Sequence, residues 1–410
     1  MGQVYLRDLV ETISDQQLHV YALLKEDCGW REGDRQSVEG YTLLERRYEY
    51  PYGVGPGRLN GLVATAAFEL MTVRHARRLG NTIADSILST GFDAVLVVLE
   101  SPLLMFIGRR LCKVLNCPVH ILVWDHPNHV CTAFGHEGFR KRRLLAAFSS
   151  VLSQAASALT VSKTLRNWMA KSNSDLPIRL FRSPARPRQT DSTVERDAEK
   201  QAFVLGFAGS VTAPDELEVL QRSLDHLKWK IDDRPIVLRL YGKRFTLSAS
   251  DTRNVQYRGF LPTQADVVTE LAECDVCFLP QPFAPSGRLV AEYSFPTKVS
   301  SYLSAGRPLL VLAPPHASLS TYQSQSKDQG DPRYKLENES PFGFCCETSD
   351  PVDLADLIRR MVRDHDFYQR GCGRASSCAN ASFRGDAGAS NVREALGIAT
   401  TATPTSSQLC

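Results

Sequence analysis

One stretch of the chain, residues 293–315, combines the signals that most constrain the fold. It reads YSFPTKVSSYLSAGRPLLVLAPP. Pro296 suits the first turn of a helix, where a missing N–H matters little, and Ser294 before it is a favoured cap. Apolar side chains then recur at helical spacing, Gly306 is the expected stop, and an apolar run follows at 309–313. We therefore predict a helix that leads directly into a buried strand of a parallel sheet.

The start of this helix is a predicted seat for an anion. The first backbone N–H groups of a helix carry a partial positive charge, and Lys298 adds an ammonium group there. A phosphate group fits both features. An ordinary helix–strand unit with a surface lysine has the same pattern, so spacing alone does not distinguish the two interpretations.

The rest of the chain repeats the alternation of apolar strands and amphipathic helices. The strand-like runs are AVLVVL (94–99), PVHILVWD (118–125), SALTVS (157–162), FVLGFAGSV (203–211), PIVLRLYG (235–242) and DVCFLP (275–280). Helical patterns separate them. Apolar strands that alternate with helices are typical of parallel sheets covered on both faces, so we predict an α/β fold with doubly wound sheets.

Two domains are expected from the length of 410 residues, because a single core of that size is uncommon. A stretch rich in Pro, Arg and polar residues separates two α/β series and is the best candidate linker. We predict an N-terminal domain over 1–183, a linker over 184–202, a C-terminal domain over 203–398 and a disordered tail over 399–410. Two such halves make a cleft between them, the usual seat of a small ligand.

Composition excludes several classes of function. Charged residues make up 23% and hydrophobic residues 43% of the chain, as in ordinary globular proteins. The net charge of +3 argues against wholesale binding of nucleic acid. The 11 cysteines form no disulfide framework and no metal-like Cys/His spacing, and no signal peptide follows Met1, so we expect a reducing cytoplasm. No apolar run approaches the roughly 18 residues of a membrane span.

The N-terminus departs from the usual order of an α/β domain. A helix is predicted over 4–13 and a strand over 18–24, whereas such a domain normally opens with a strand and a glycine turn. Either the start codon is assigned too late or the domain has lost its first strand, and we favour the first explanation. The predicted N-terminal domain therefore lacks its first strand.

Polar residues follow the strand at 118–125. Ligands of open α/β sheets bind beyond the carboxyl ends of the strands, so Asp125 and His126 lie where a substrate would be met. A capping aspartate and a loop histidine are the alternative interpretation.

A basic run opens the helix predicted over 139–155. Its members are Arg140, Lys141, Arg142 and Arg143. They could attract an anionic acceptor or a lipid surface at the inner face of a membrane. A solvated helix start is the commoner meaning of such a cluster.

The second half of the chain resembles the donor-binding domain of GT-B glycosyltransferases, closest to glycosyltransferase family 4 (glycosyl transferases group 1). The matching segments come in the family's order: LGFAGSV, LRLYGKR, VQYRGFLP, ELAECDVCFLP and FPTKVSSYLSAGRPLLV. The last is similar to the most diagnostic stretch of the family. The first half resembles it more loosely, through VHILVWDH and AASALTVSKTLRNWM. The resemblance implies a GT-B fold of two Rossmann-like domains and transfer of a sugar from a nucleotide donor, normally with retention of anomeric configuration.

The resemblance also implies a donor site. A leaving nucleoside diphosphate needs its developing negative charge stabilised, and Lys298 at the helix start is suited to that. The matching donor-binding positions are Gly209, Ser210, Lys243, Arg244, Arg258, Gly259, Phe260, Ser294, Phe295, Pro296, Thr297, Lys298 and Ser301. Lys243 or Arg244 would supply the basic charge that the turn GSVTAPD lacks, and the turn at 258–260 would face the base.

The catalytic residues that the resemblance implies are His126, Asp125 and Glu292, of which His126 falls near a histidine that meets the donor sugar. Many family members have a pair of glutamates at the positions held here by Tyr293 and Ser301. Glu292 adjoins the first position and could reach the sugar. Ser301 lacks the carboxylate that would hold the ribose hydroxyls, although it can still make one hydrogen bond. This departure leaves the identity of the donor open, and to a lesser degree the activity.

Three functions fit the sequence. The first is a metal-independent, hexosyltransferase-like enzyme that moves a sugar from a nucleotide-sugar donor to a glycan or lipid-linked acceptor; it needs no cofactor, because the sugar nucleotide is its substrate. The second is a catalytically silent protein of the same fold that binds a sugar nucleotide or a glycan. The third is a nucleotide-sugar epimerase, which needs further acid and base residues in both domains that we do not find. The fold alone does not choose among them.

Overall fold

The computed structural model describes residues 2–24, 40–46, 58–185, 202–242, 254–322 and 339–398. The chain divides into two compact units. The N-terminal unit comprises Gly2–Phe181 and Gly388–Cys410, and the C-terminal unit comprises Arg182–Ala387. Most of the predicted linker, the whole predicted tail, Lys243 and Arg244 lie outside the described residues. No helix within the described ranges is both long and apolar enough to cross a membrane.

The N-terminal unit has two parallel sheets, with helices between most of their strands. Its elements are α1 (Gly2–Thr12), β1 (His19–Leu24), β2 (Gly40–Glu45), α2 (Arg58–Thr90), β3 (Val95–Val98), α3 (Pro102–Val114), β4 (Val119–Val123), α4 (Pro127–Ala133), α5 (Gly138–Leu152), β5 (Ser157–Thr160), α6 (Lys163–Ser172) and β6 (Ile178–Leu180). β1 pairs with β2, with His19 opposite Gly40. The second sheet has the order β3-β4-β5-β6, and all of its pairs are parallel. Every residue of β4 and β5 is buried, as expected for central strands of a covered sheet.

The C-terminal unit contains one larger sheet. Its elements are β7 (Phe203–Ala208), α7 (Pro214–His226), β8 (Lys230–Ile231), β9 (Arg234–Tyr241), β10 (Val255–Gly259), α8 (Gln264–Leu271), β11 (Val276–Pro280), α9 (Arg288–Tyr293), α10 (Lys298–Ser304), β12 (Leu309–Leu312), β13 (Glu339–Ser340), β14 (Gly343–Cys346), α11 (Pro351–Arg363) and α12 (His365–Ser382). The last helix of the chain is α13 (Gly385–Leu396). The sheet has the parallel order β10-β9-β7-β11-β12-β14, and the short β8 and β13 pair antiparallel with β9 and β14. The predicted α/β class with doubly wound sheets is confirmed.

Alternate residues of β7 point to opposite faces of this sheet. Phe203, Leu205 and Phe207 lie in a buried cluster with side chains of α7, α11 and α12. On the other face, a Cβ on Gly206 would come within 2.6 Å of the Sγ of Cys274, so only glycine fits there. Helices therefore cover both faces of the strand, and the site described below is confined to the edge of the sheet.

The last helix belongs to the N-terminal unit, although the sequence places it in the C-terminal domain. Most of α13 packs there, with Val392 fully buried. The Oγ of Ser157 in β5 donates to the carbonyl of Ala395 over 2.6 Å, and the side chain of Asn391 donates to the carbonyl of Leu180 over 3.0 Å. The C-terminal unit therefore ends at Ala387 and not at residue 398, because the apolar face of α13 is buried against the first unit.

Candidate functional site

The order of the strands in the C-terminal unit reverses between β7 and β11. Loops that follow the strands on the two sides of such a reversal diverge, and a crevice opens between them at the carboxyl edge of the sheet. The loop after β7 begins with Gly209 and Ser210, and the loop after β11 leads to α9 and α10. The candidate site therefore lies at these loops.

Three neighbouring strands end in glycines at this edge. Gly209 follows β7, Gly242 follows β9, and Gly259 closes β10; their φ angles of 88°, 131° and 76° are all positive. The N–H of Gly209 donates to the carbonyl of Tyr241 over 2.8 Å, and that of Gly242 donates to Gly259 over 2.7 Å. A Cβ on Gly242 would lie 3.2 Å from the carbonyl oxygen of Gly209. The edge is thus a close stack of backbone turns, and the glycines themselves add no side chain to it.

Lys298 lies against the first of these turns. Its Nζ donates to the carbonyl of Ser210 over 2.7 Å and lies 4.0 Å from the centre of the Phe207 ring. A Cβ on Gly209 would be 3.4 Å from the Cε of Lys298, so the turn and the lysine are in contact. No carboxylate of the described residues is within ion-pair distance of this ammonium group, and burial lowers the pKa of Lys298 to about 7. A partly buried lysine without a counter-charge is a suitable partner for an anion.

Helix α10 holds Lys298 in place through a second side chain. Tyr302 lies one turn further along the helix and is fully buried. Its hydroxyl oxygen accepts a hydrogen bond from the N–H of Ala208, at 3.0 Å, directly before the Gly209 turn. Residues four apart lie on the same side of a helix, so Lys298 and Tyr302 reach the same turn. In the sequence, Tyr302 belongs to the apolar set that recurs at helical spacing after Pro296, which predicts a core residue only. Its spacing of four residues from Lys298 was the signal for the second role.

The start of α10 differs from the prediction. The helix begins at Lys298, two residues later than expected, and its N-cap is the buried Thr297. Ser294 closes the preceding helix α9 and does not cap α10. The carbonyl of Pro296 accepts from the N–H of Val299 over 3.2 Å, so the proline lies in a tight turn ahead of the helix. The prediction missed α9, which uses the residues that looked like a cap.

The side chain of Phe295 points into the core. It is buried in an aromatic cluster with Tyr322, Phe342 and Phe383, and the Arg182 guanidinium lies 4.8 Å from its ring centre. This cluster holds the segment that precedes α10. Phe295 therefore positions the loop of the candidate site, and only its backbone is available to a ligand.

Ser301 has a partner that the sequence did not reveal. Its Oγ accepts a hydrogen bond from the side-chain amide of Gln264, the first residue of α8. The side chain of Thr263 caps α8 and accepts from the N–H of Asp266, which fixes the start of that helix. A serine hydroxyl and a carboxamide thus occupy the place where the family resemblance implies a carboxylate.

An exposed aromatic side chain lies at the end of β10. Phe260, directly after Gly259, is 71% exposed, and Arg258 is exposed beside it. The predicted base-facing turn at 258–260 therefore has an available ring at the same sheet edge as Lys298.

Glu292 lies on α9, where it pairs with Arg288 at 3.4 Å. Its neighbour Tyr293 has a raised pKa, first because of burial and then because of the Glu292 charge. The carboxylate therefore already has a cationic partner in this state.

His126 and Asp125 lie in the N-terminal unit, beyond the carboxyl end of β4. His126 is the N-cap of α4, and its Nδ1 accepts from the N–H of Asn128 over 3.1 Å. The imidazole is buried, with its ring centre 4.3 Å from that of Trp168. An accepting Nδ1 assigns the proton of the neutral ring to Nε2.

The basic run at the start of α5 is divided by the fold. Arg140 is only 6% exposed and lies 3.4 Å from the carboxylate of the buried Glu69, so the prediction that Arg140 contacts a membrane is wrong. Arg143 also reaches Glu69, at 3.6 Å, while much of its side chain stays in solvent. Lys141 and Arg142 remain accessible to solvent. Burial of Arg140 is possible because Glu69 supplies the opposite charge.

Solved structures of similar fold include a glycosyltransferase and a putative epimerase. The Anabaena protein HepE, solved with UDP and glucose, is 14% identical, with a TM-score of 0.58 over 96% of this chain and 95% of that one. WaaG, a glycosyltransferase involved in lipopolysaccharide biosynthesis, is 11% identical, with a TM-score of 0.51 over 96% and 95%. A putative UDP-N-acetylglucosamine 2-epimerase from Listeria monocytogenes is 10% identical, with a TM-score of 0.54 over 94% and 91%.

These likenesses establish the class of the fold. The chain has the GT-B fold, with two Rossmann-like domains. Searches of protein-family models and of curated proteins gave no match. At such low identity the fold is all that is shown, and the activity has to be argued from the site.

Proposed function

We propose that this protein is a glycosyltransferase, related to glycosyltransferase family 4, that moves a sugar from a nucleotide-sugar donor to a glycan or lipid-linked acceptor. The observation that carries the proposal is the contact of Lys298 with the turn at Gly209 and Ser210, where the strand order reverses. That contact places an ammonium group, which has no carboxylate partner within the described residues, beside the glycine turn at the edge of the sheet. A diphosphate supplies the charge that this arrangement lacks.

The parts of the site fit the parts of a sugar nucleotide. The diphosphate would lie at Lys298 and the Gly209 turn, where the ammonium charge of Lys298 would stabilise the leaving group as the glycosidic bond breaks. The exposed ring of Phe260 would stack on the base, and the hydroxyl of Ser301 with the amide of Gln264 would bind the ribose. A lysine and backbone N–H groups stabilise a diphosphate without a metal ion, which supports metal-independent transfer. Retention of anomeric configuration and a hexose donor are part of the proposal through the family resemblance.

The proposal also assigns catalytic roles to residues of the N-terminal unit. We propose that His126, with Asp125 beside it, meets the donor sugar, and that Glu292 contributes from α9 if its pairing with Arg288 is exchanged for the sugar. The cap to Asn128 occupies Nδ1, so the ring would act through Nε2.

The donor site is tested by calorimetric titration with a panel of nucleoside diphosphates and their sugars. We expect one base to bind clearly, and the variant Lys298→Met to bind it at least about 30-fold more weakly, since a charge-assisted contact to phosphate contributes about 2 kcal/mol. The exposed Lys230, in the same unit, provides the matched control Lys230→Met, which should bind like wild type. Equal affinity of the two variants would refute the site assignment.

Turnover separates the proposed enzyme from a silent binding protein, which the missing carboxylate at Ser301 favours as the second candidate. The bound sugar nucleotide is incubated with the protein and a panel of glycan and lipid-linked acceptors. Release of the nucleoside diphosphate with formation of a glycoside supports the transferase. Binding without any turnover identifies a silent protein, and conversion of the sugar without release of the nucleotide identifies an epimerase.

The role of His126 is tested with His126→Asn, since the Asn oxygen can replace Nδ1 as the cap acceptor while Nε2 is lost. We expect turnover to fall by about a hundredfold or more, with donor affinity and thermal unfolding nearly unchanged. Turnover at the wild-type rate would remove His126 from the mechanism. The double check on affinity and unfolding is needed because His126 also packs on Trp168.

A further inference from the structure

The first half of helix α2 exposes an apolar face. Successive solvent-facing positions on one side of the helix carry only apolar side chains: Val63, Ala66, Ala67, Leu70 and Met71. Val63 is 71%, Leu70 56% and Met71 45% exposed. The opposite side of α2 is buried through Thr72, Ala76 and Leu79, so the fold does not use the exposed apolar face. We call it the α2 apolar face.

The same face becomes basic one turn later. Arg74, Arg77 and Arg78 continue the exposed positions at helical spacing. Among the described residues no carboxylate forms an ion pair with any of the three. An apolar band that ends in long basic side chains on one helix face is the pattern of a helix that lies in a membrane interface, where arginines reach the headgroup phosphates.

The start of α5 lies on the other side of this helix. Glu69 belongs to the buried side of α2 and pairs there with Arg140 and Arg143, so this ion pairing leaves the α2 apolar face exposed. The proposal below therefore rests on α2 alone.

We propose that the α2 apolar face, together with the three arginines that continue it, docks on the surface of an anionic lipid bilayer. The apolar side chains would enter the region of the acyl chains, and the arginines would contact lipid phosphates. Charge complementarity favours this occupant, because a cluster of basic groups next to an apolar band complements an anionic lipid surface. The proposal goes beyond sugar transfer and does not depend on it, since vesicle binding is measured without donor or turnover.

The test is flotation of the full-length protein with vesicles of phosphatidylcholine alone or mixed with phosphatidylglycerol. We expect binding to the mixed vesicles only, and a decrease as salt is added. Leu70→Glu should lower the partition coefficient by about tenfold or more, because it places a charge in the apolar band. Arg77→Glu should lower it by about fivefold or more, the effect of one basic group near an anionic surface.

Leu88→Glu is the matched control. Leu88 lies on the same helix and is 56% exposed, like Leu70, but far from the α2 apolar face. Wild-type protein that stays unbound, or Leu70→Glu that partitions like Leu88→Glu, would overturn the proposal. So would a change of oligomeric state in Leu70→Glu, measured by light scattering, because the face would then join two copies of the chain. If Leu70→Glu does not fold by circular dichroism, the double variant Arg77→Gln with Arg78→Gln carries the same test.

Discussion

Lys298 is the residue of the candidate site whose protonation we expect to depend on the bound ligand. Its ammonium group has the Ser210 carbonyl as acceptor and the Phe207 ring beneath it, and burial has lowered its pKa to about 7. A diphosphate would bring negative charge to the site and raise this pKa again, so binding of the donor and protonation of Lys298 are coupled. In the free protein the lysine disfavours folding most below about pH 7, and this penalty is relieved as the pH rises towards the unfolded value of 10.5.

The coupling gives a pH dependence of donor affinity. Above about pH 7 the lysine of the free protein loses its proton, which must be taken up again on binding, so affinity should fall by up to about tenfold for each pH unit. Below pH 7 it should level off. A sugar nucleotide is the right probe, because its phosphodiester groups do not titrate in this range. Calorimetry in buffers of different ionisation enthalpy measures the proton uptake directly.

Two variants at Lys298 test whether this residue is the group that titrates. Lys298→Arg stays charged at every pH used and should lose the decline above pH 7, whatever its absolute affinity. Lys298→Met should bind weakly and without the decline. An unaltered pH profile in either variant would mean that another group titrates.

The hydrogen-bond partner of Ser301 could not be predicted from the sequence. Ser301 stands where the family resemblance implies a carboxylate, and Gln264, its partner in the structure, lies on another helix. The structure brings a hydroxyl and an amide together there. Both groups are neutral and can donate as well as accept, so they can bind ribose hydroxyls without the negative charge of a glutamate.

Among the secondary-structure elements, α10 was correctly predicted as a helix, but its first residue was predicted wrongly. Its stop at Gly306, with φ of 69°, and the strand β12 follow the prediction, because a glycine stop and an apolar run are local signals. Its start was misplaced because Ser294 and Pro296 are equally good in the turn that closes α9. Competition between two adjacent helices for the same residues is settled by packing, here by the burial of Phe295 and Thr297.

In helix α5, the sequence likewise does not show which of the basic side chains is buried. Four consecutive basic residues look alike in a sequence, yet the helix turns Arg140 inward to Glu69 and leaves Arg142 in solvent. Which member of a basic run is buried depends on where a distant carboxylate lies, and Glu69 belongs to α2. The exposed face of α2 was likewise not recognised, since its apolar residues fit a buried stripe as well as an exposed one.

At the scale of the whole molecule, α13 makes the chain's last helix part of its first unit. This assignment predicts that damage to α13 affects stability without affecting the donor site. Val392→Asp puts a charge into a fully buried position and should lower the free energy of unfolding by about 3 kcal/mol or more. Val352→Asp, at an exposed valine of α11, is the control and should change it little.

The measurements are thermal unfolding and, well below the transition, donor titration. Donor affinity of Val392→Asp should match wild type, because Lys298 and Gly209 lie in the other unit. A loss of affinity in parallel with stability would show that the two units do not behave independently. An unfolding curve like that of the control would contradict the observed packing of α13.

Local sequence patterns predict the fold class, most of the strands and helices, the glycine turns at the sheet edge and the lysine at the start of α10. These features depend on periodicity, turn chemistry and short spacings, which act within a few residues. Packing of distant segments sets the remaining features: Lys298 contacts the Ser210 turn, Gln264 meets Ser301, Arg140 is buried and α13 joins the first unit. Each of these contacts joins segments far apart in the chain, and they form because burial of apolar surface and pairing of buried charge are satisfied over the whole fold at once.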